Sequence, residues 1–291
     1  MIVLGTADFN VAQHNWSIIT GYCRTGVHNY YKSDARATDE IIWQLPPITT
    51  PHVYFRVAVK NHSSDRYGLR TGFFAGDGTL LGNIRVPTTT DPHIDIRTGT
   101  TVHDSVNDVL VTGSWVVLEF EQTATTITVK RNDVIISEVT GITADLDAIS
   151  SFRVAGGATA VDAWNGHIDD VMITDQDWPG LGGIHLLEPT DAGVFQEWDE
   201  GLITDAEIAN KKQTFIKDPP PMQGAYSVTA VAVGVKARLT GQGYGAVKPL
   251  FGQLEGDIHP LSTSTLQDLQ AWYGPWTLAE FNAIEFGVAS A

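Results

Sequence analysis

The residues best placed to do chemistry lie in one stretch, 163–173, which reads A-W-N-G-H-I-D-D-V-M-I. Asp169 and Asp170 are adjacent acids inside a strand-forming run that includes Ile168, Val171 and Ile173. Successive side chains of a regular strand point to opposite faces, so one of the two is expected to face the interior or a loop-lined edge. A carboxylate there needs hydrogen-bond donors or a cation. One reading makes Asp169 and Asp170 ligands of a hard cation such as calcium, with Asp77, Asp91, Asp95 and Asp104 as further oxygen donors. The other has them accept backbone N–H groups and pin a strand edge.

Other chemistries find less support. The nine histidines form no H-x-x-x-H or H-E-x-x-H pair, which argues against a transition metal. Gly241-Gln242-Gly243-Tyr244-Gly245 has the wrong spacing for a dinucleotide fingerprint and reads as a loop. No G-x-S-x-G elbow occurs. The single cysteine, Cys23, excludes an intrachain disulfide and reads as a buried thiol. Among the aromatic residues, Trp164, Tyr30 and Tyr31 are the expected platforms for stacking on a sugar ring; packing in a core is the alternative for each.

These residues must be held by strands. Residues 53–59 alternate cleanly, with Val53, Phe55, Val57 and Val59 on one face, and predict a half-buried strand. In residues 115–121, Val116, Leu118 and Phe120 alternate with Trp115, Val117 and Glu119. Arg131-Asn132-Asp133 marks a hairpin between 126–130 and 134–139, and Gly76-Asp77-Gly78 marks another turn. About a dozen strands are expected before residue 174, enough for two packed antiparallel sheets. Beyond that point the texture changes. A capping-box pattern at Thr204 predicts a short helix over about 205–213, and Pro219-Pro220-Pro221 predicts a stiff spacer. The expected organisation is a sandwich over 1–176, a linker over 177–222 and a small β-domain over 223–291. Within the last, 226–239 is apolar on both faces and predicts a central strand. Thr277 with Glu280 predicts a helical turn over 278–282.

Composition agrees. The chain has 291 residues, 43% hydrophobic and only 18% charged, with 28 Gly and 13 Pro. That suits many short strands joined by turns. A formal charge of −16 argues against nucleic acid as a partner. The N-terminus lacks the basic region of a signal peptide, and no apolar run is long enough to span a bilayer, so synthesis in the cytoplasm without membrane insertion is expected.

Four motifs in order carry a resemblance: T-G-Y-C-R-T-G at 20–26, G-H-I-D-D-V-M-I at 166–173, L-G-G-I-H-L-L-E-P-T-D-A-G at 181–193 and W-T-L-A-E-F-N-A-I-E-F-G-V at 276–288. The second resembles the closing strand of laminin-G-like, concanavalin-type jelly rolls. Together they resemble bacteriophage virion proteins in which such a jelly roll precedes a second small β-domain. The resemblance implies an all-β fold and loop aspartates of the kind that hold calcium in such jelly rolls. It also implies a non-enzymatic virion component, either a tail-associated fibre or spike or a capsid decoration. Its partners would be other virion proteins and further copies of itself. Glycoside hydrolases of this architecture place two glutamates about 5 Å apart on one strand. Here His167 and Met172 stand at those positions, so hydrolysis is not expected. The alternative is a carbohydrate-binding adhesin that recognises a host surface glycan.

Overall fold

The computed structural model of the chain describes residues 2–5, 12–13, 17–20, 24, 28–35, 39–62, 68–87, 93–156, 164–181, 189–196, 212–217, 227–237, 245–261 and 266–290. It falls into two units, Met1–Leu186 and Leu187–Ala291. Among the described residues the chain is all-β apart from one helical turn.

The strands of the first unit are β1 (Ile2–Gly5), β2 (Ala12–Gln13), β3 (Ser17–Thr20), β4 (His28–Ala35), β5 (Glu40–Gln44), β6 (Val53–Asn61), β7 (Leu69–Ala75), β8 (Leu80–Val86), β9 (Ile94–Thr98), β10 (Thr101–Val106), β11 (Trp115–Gln122), β12 (Thr126–Arg131), β13 (Val134–Thr140), β14 (Ile149–Gly156) and β15 (Trp164–Thr174). They pair antiparallel into two sheets. The first runs β13-β12-β11-β6-β15-β4-β3, with β1 also on β15. The second runs β10-β9-β8-β7-β14-β5-β2.

The sheets face one another across a core drawn from alternate residues. Tyr30, Phe55, Val57, Leu118, Phe120 and Ile168 come from the first sheet, and Ile41, Trp43, Phe73, Ile84, Phe152 and Val154 from the second. At the centre, the Phe55 ring stacks on Phe120 at 4.7 Å and meets Phe152 at 4.8 Å and Phe73 at 5.4 Å. Each such buried side chain contributes about 1.5–3 kcal/mol through removal of apolar surface from water. The Arg131-Asn132-Asp133 turn forms as expected, with Asn132 and Asp133 both at positive φ. Such left-handed pairs match the twist of a two-residue hairpin.

The strand β6 differs from its expected half-burial. Tyr54, Arg56 and Ala58, on its outer face, are buried as fully as the core face. The reason is a covering segment: 175–181 folds back over the first sheet, placing Trp178 against Tyr54 at 5.4 Å and Gly180 over Arg56. Alternation signals a buried face; it cannot signal that the opposite face will be roofed from another part of the chain.

The second unit contains β16 (Pro189–Gln196), β17 (Lys212–Lys217), β18 (Ser227–Ala237), β19 (Ala246–Phe251), β20 (Leu254–Glu255), β21 (His259–Pro260), β22 (Leu266–Thr277), α1 (Leu278–Ala283) and β23 (Phe286–Ser290). One sheet runs β16-β17-β23-β19-β20, with β21 also on β19, and β18 pairs with β22. Val233, Phe251 and Phe281 form its core, joined by Trp272, Trp276 and Phe286. The stretch expected as a linker therefore supplies β16 and β17 to this sheet. The expected helix over 205–213 lies mostly outside the described residues; its last two positions, Lys212 and Gln213, begin β17. Pro219–Pro221 also lie outside the described residues. Strand β18 is not central: among the described residues it pairs with β22 alone, and its Val228, Val231 and Val233 pack in the core with Phe251 and Phe281. The helix α1 starts as expected. Thr277 Oγ1 accepts from the Glu280 N–H at 3.2 Å, and Glu280 Oε2 accepts from the Thr277 N–H at 2.8 Å.

Gly166 sits where β15 runs tight against β6. A Cβ there would lie 2.1 Å from the Lys60 carbonyl oxygen and 2.9 Å from the Trp164 ring. The glycine is thus required by close backbone approach. Gly166→Ala should destabilise the first unit by about 1–3 kcal/mol through overpacking, read as a lowered urea midpoint; an unchanged midpoint would show that the two strands can part without penalty.

Candidate functional site

Strand β15 carries two adjacent carboxylates on one face, which a regular strand cannot do. Its register against β6 slips between Asp169, opposite Ala58, and Met172, opposite Arg56. Asp170 takes up the extra residue at φ 49°. This is a β-bulge, and it re-aims side chains locally. Both acids end up fully buried under the covering segment.

Their partners are cationic and backbone groups. The Arg24 guanidinium meets Asp170 Oδ2 at 2.5 Å, and the Arg24 backbone N–H donates to Asp169 Oδ2 at 2.8 Å. Asp169 Oδ1 accepts from the Asp170 N–H at 2.8 Å. Arg56 Nε donates to the Asp170 carbonyl at 3.1 Å, and its Nη1 donates to the Gly180 carbonyl at 2.9 Å. Arg24 Nη2 donates to the Leu181 carbonyl at 2.6 Å. Finally, the Gly180 N–H donates to Glu119 Oε1 at 2.6 Å. Burial pulls the Arg56 pKa down while Asp170 opposes the shift. Burial pushes Glu119 up, against the Gly180 N–H. Ions taken out of water cost several kcal/mol each unless paired and hydrogen-bonded; the two aspartates meet that condition through Arg24 and backbone N–H groups, while Glu119 Oε2 has no hydrogen-bond partner among the described residues.

The aspartates expected to bind calcium thus hold Arg24 and main-chain donors. The other oxygen donors are scattered. Asp77 accepts from the Thr79 N–H at 2.8 Å in its turn, Asp95 accepts from Ser105 Oγ at 2.8 Å, and Asp104 accepts from the Ser105 N–H and from Ser137 Oγ. Asp91 lies outside the described residues. Among the described residues no group of three or more His, Cys, Asp or Glu side chains is placed to hold a metal ion.

The sugar-stacking expectation needs correction for two of its three residues. Tyr30 and Trp164 are 0% exposed and belong to the core. Tyr30 shares the inward face with its register partner Ile168 and packs edge-on to Trp43. Tyr31, one residue on, necessarily points outward and is half-buried.

Tyr31 joins a row that the sequence alone does not reveal. His167 lies opposite Tyr31 on β4 and opposite Lys60 on β6, and Lys60 lies opposite Trp115 on β11. The His167 ring centroid is 4.9 Å from Tyr31, 4.6 Å from His62 and 6.1 Å from Trp115. Tyr31, Lys60 and Trp115 are half-buried and His62 is exposed, so the row forms a shallow platform beside the covered half of the face. His167 itself is only 3% exposed. Its Nδ1 lies 2.6 Å from Asn29 Oδ1. The amide oxygen can only accept, so Nδ1 carries the proton and Nε2 is the acceptor edge. Burial, then the nearby His62 and Lys60, lower the His167 pKa to about 4. The ring is neutral under ordinary conditions. Apolar ring faces, a neutral imidazole and an ammonium donor in one row are what a polyhydroxylated ring needs: C–H faces to stack and hydroxyls to bond.

No protein-family model matches the chain, and no curated protein matches it in sequence. Solved structures do match in part. Sheep galectin-11 in complex with glycerol is similar at 12% identity and a TM-score of 0.34, over 46% of this chain and 96% of that one. The cellulose induced protein Cip1 is similar at 15% identity and a TM-score of 0.42, over 62% of this chain and 94% of that one. The exoplasmic/lumenal domain of VIP36, in a Ca2+/Man-bound form, is similar at 13% identity and a TM-score of 0.39, over 58% and 86%. These likenesses are too distant to carry a ligand or an activity across.

The His167 environment makes stability depend on pH. Its folded pKa, about 4, lies below the ordinary 6.5. Above 6.5 both folded and unfolded forms are neutral and nothing is lost. As pH falls from 6.5 towards 4 the unfolded chain takes up a proton that the folded chain refuses, and stability drops. Urea unfolding at pH 7 and pH 5 should show this loss, and His167→Gln should make the difference smaller; an equal difference in both proteins would place the titration elsewhere.

Proposed function

We propose that the first unit is a non-enzymatic binding module that takes neutral sugar rings on the outer face of its first sheet. The observation that carries this reading is the Tyr31–His167–Lys60–Trp115 row, with half-exposed rings flanking a dehydrated, neutral imidazole. Stacking on Tyr31 and Trp115 would supply apolar contact, and His167, His62 and Lys60 would orient hydroxyl groups. The engagement of Asp169 and Asp170 with Arg24 supports a role in holding the sheet rather than in acid–base catalysis. The resemblance to phage virion proteins supports placing the module on a particle, where its partner would be a host surface glycan. Screening the purified chain on a glycan array should give sugar-specific binding. Trp115→Ala and Tyr31→Ala should each weaken it about tenfold or more, the loss typical of a central aromatic contact, and a chelator should leave it intact. A blank array, or binding that both variants retain, would refute the reading; loss on chelation would return calcium to the site.

A second reading, an assembly subunit of the particle, draws on the second unit. There Val194, Leu254 and Ile258 are 78%, 48% and 63% exposed. Val194 and Leu254 also line an open cavity of about 500 Å³ with Phe251, Trp276 and Ile284. Apolar side chains left in water are what neighbouring subunits cover. Light scattering should then show self-association that Leu254→Asp reverses; a monomer at all concentrations would count against self-assembly through this surface.

A further inference from the structure

The outer face of the second sheet is cationic although the chain carries a formal charge of −16. In one row across four strands, Arg153 on β14 lies opposite Gly72 on β7, Gly72 opposite Asn83 on β8, and Asn83 opposite Arg97 on β9. Two residues along, Arg70 lies opposite Arg85. The inward parity of Phe73, Ile84, Ile96 and Phe152 fixes all of these on the outer side.

The middle of the row is closely packed, which is why it carries a glycine. A Cβ on Gly72 would stand 2.3 Å from the Gly82 carbonyl oxygen and 2.4 Å from Asn83 Cβ. Around this point the donors are held in place. The Arg153 and Arg70 guanidinium groups lie over the Phe74 ring, at 4.5 and 5.6 Å from its centroid. Both lean on one carboxylate, Glu40, at 3.5 and 3.4 Å. These are longer than the roughly 2.7–2.9 Å of a charge-assisted bond, so one acid loosely serves two forks. Asp95, opposite Arg85, is already engaged by Ser105 Oγ and lies 3.5 Å from His93.

Several polar atoms here have no hydrogen-bond partner among the described residues. Asn83 is 0% exposed, and neither its Nδ2 nor its Oδ1 makes a hydrogen bond. Arg70 Nε and Arg97 Nε are likewise buried and unbonded. Buried polar atoms in folded proteins are nearly always satisfied by something, because an unmade bond leaves their desolvation uncompensated. The Arg70 pKa is lowered by burial and then, against Glu40, by Arg153 and Arg85; an anion on this face would relieve that repulsion.

We infer that this face, built from Arg70, Asn83, Arg97 and Arg153 around Gly72, is a binding site for an oxyanion of the carboxylate or sulfate class. Guanidinium forks take such groups bidentately, and the Asn83 amide completes the donor set. The site stands on the sheet opposite to the His167 platform and does not depend on glycan binding there. The anion is either a free small ion or the acidic group of a saccharide.

Calorimetric titration of the full chain tests it, using sodium sulfate, sodium glucuronate and an oligomer of glucuronate, against sodium chloride at matched ionic strength and against glucose. Sulfate or glucuronate should bind saturably where chloride does not, and glucose, which the His167 platform could take, should not compete with sulfate. Arg153→Gln and Arg97→Gln should each weaken binding about tenfold or more. Arg153→Lys, which keeps the charge and loses the fork, should weaken it too, with circular dichroism confirming that each variant is folded. An oligomer binding far tighter than the monomer identifies a saccharide-borne acid; equal affinities for monomer and sulfate identify a small free anion. Indistinguishable responses to all the salts, or binding that survives in folded Arg153→Gln and Arg97→Gln proteins, would overturn the proposal.

Discussion

Two adjacent carboxylates in an interior strand of the first sheet impose the constraint on which the rest of the first unit depends. Buried side by side, Asp169 and Asp170 would be untenable without compensation, and the bulge at Asp170 brings both to one side where compensation is available. Arg24 reaches them from a segment far away in sequence, and Arg56 ties the bulge carbonyl to Gly180. The covering segment 175–181 is held down by the same groups, with Lys130 lying 4.0 Å over the Trp178 ring as a further clasp. Removing either arginine would leave a charge or several carbonyls buried and unpaired, which is far costlier than the pair is worth when intact.

This layer divides the outer face of the first sheet. Where the covering segment lies, even Arg56 and Glu119 are removed from water. Immediately beyond it on the same strands, the row through His167 stays half open. Strand β15 therefore does two jobs along its length: acids that fasten the fold at one end, and an imidazole that faces the platform at the other. The second sheet's outer face follows a different logic, with guanidinium groups over Phe74 and a closely packed glycine in the same row as Arg153. A scaffold whose core is rigid and whose two outer surfaces differ in chemistry is suited to recognition by contact.

Much of the fold was legible in the sequence because its causes are local. The alternation in 53–59 and 115–121 became β6 and β11, Arg131-Asn132-Asp133 became a hairpin turn, and Thr277 with Glu280 became a capping box. The site was far less legible because its causes are long-range. Trp164 and Trp115 look alike as residues; only the pairing register, set by strands more than fifty residues apart, sends one into the core and the other outward. The bulge hid the fact that Asp169 and Asp170 share a face. Outward alternation of Trp115 with Val117 and Glu119 was a usable signal for one platform residue, but nothing local connects it to Tyr31 or His167. Likewise, Gly72 reads as an ordinary strand glycine until Asn83 is placed beside it.

The division of the first sheet's face into a sealed and an open half can be measured directly. In a ¹H–¹⁵N spectrum of the indole N–H groups, titration with a neutral sugar that binds the chain should move the Trp115 resonance. Those of Trp178, beneath Lys130, and of the core residues Trp43 and Trp164 should hold still. Movement of Trp178 while Trp115 stays fixed, or no movement at saturating sugar, would contradict it.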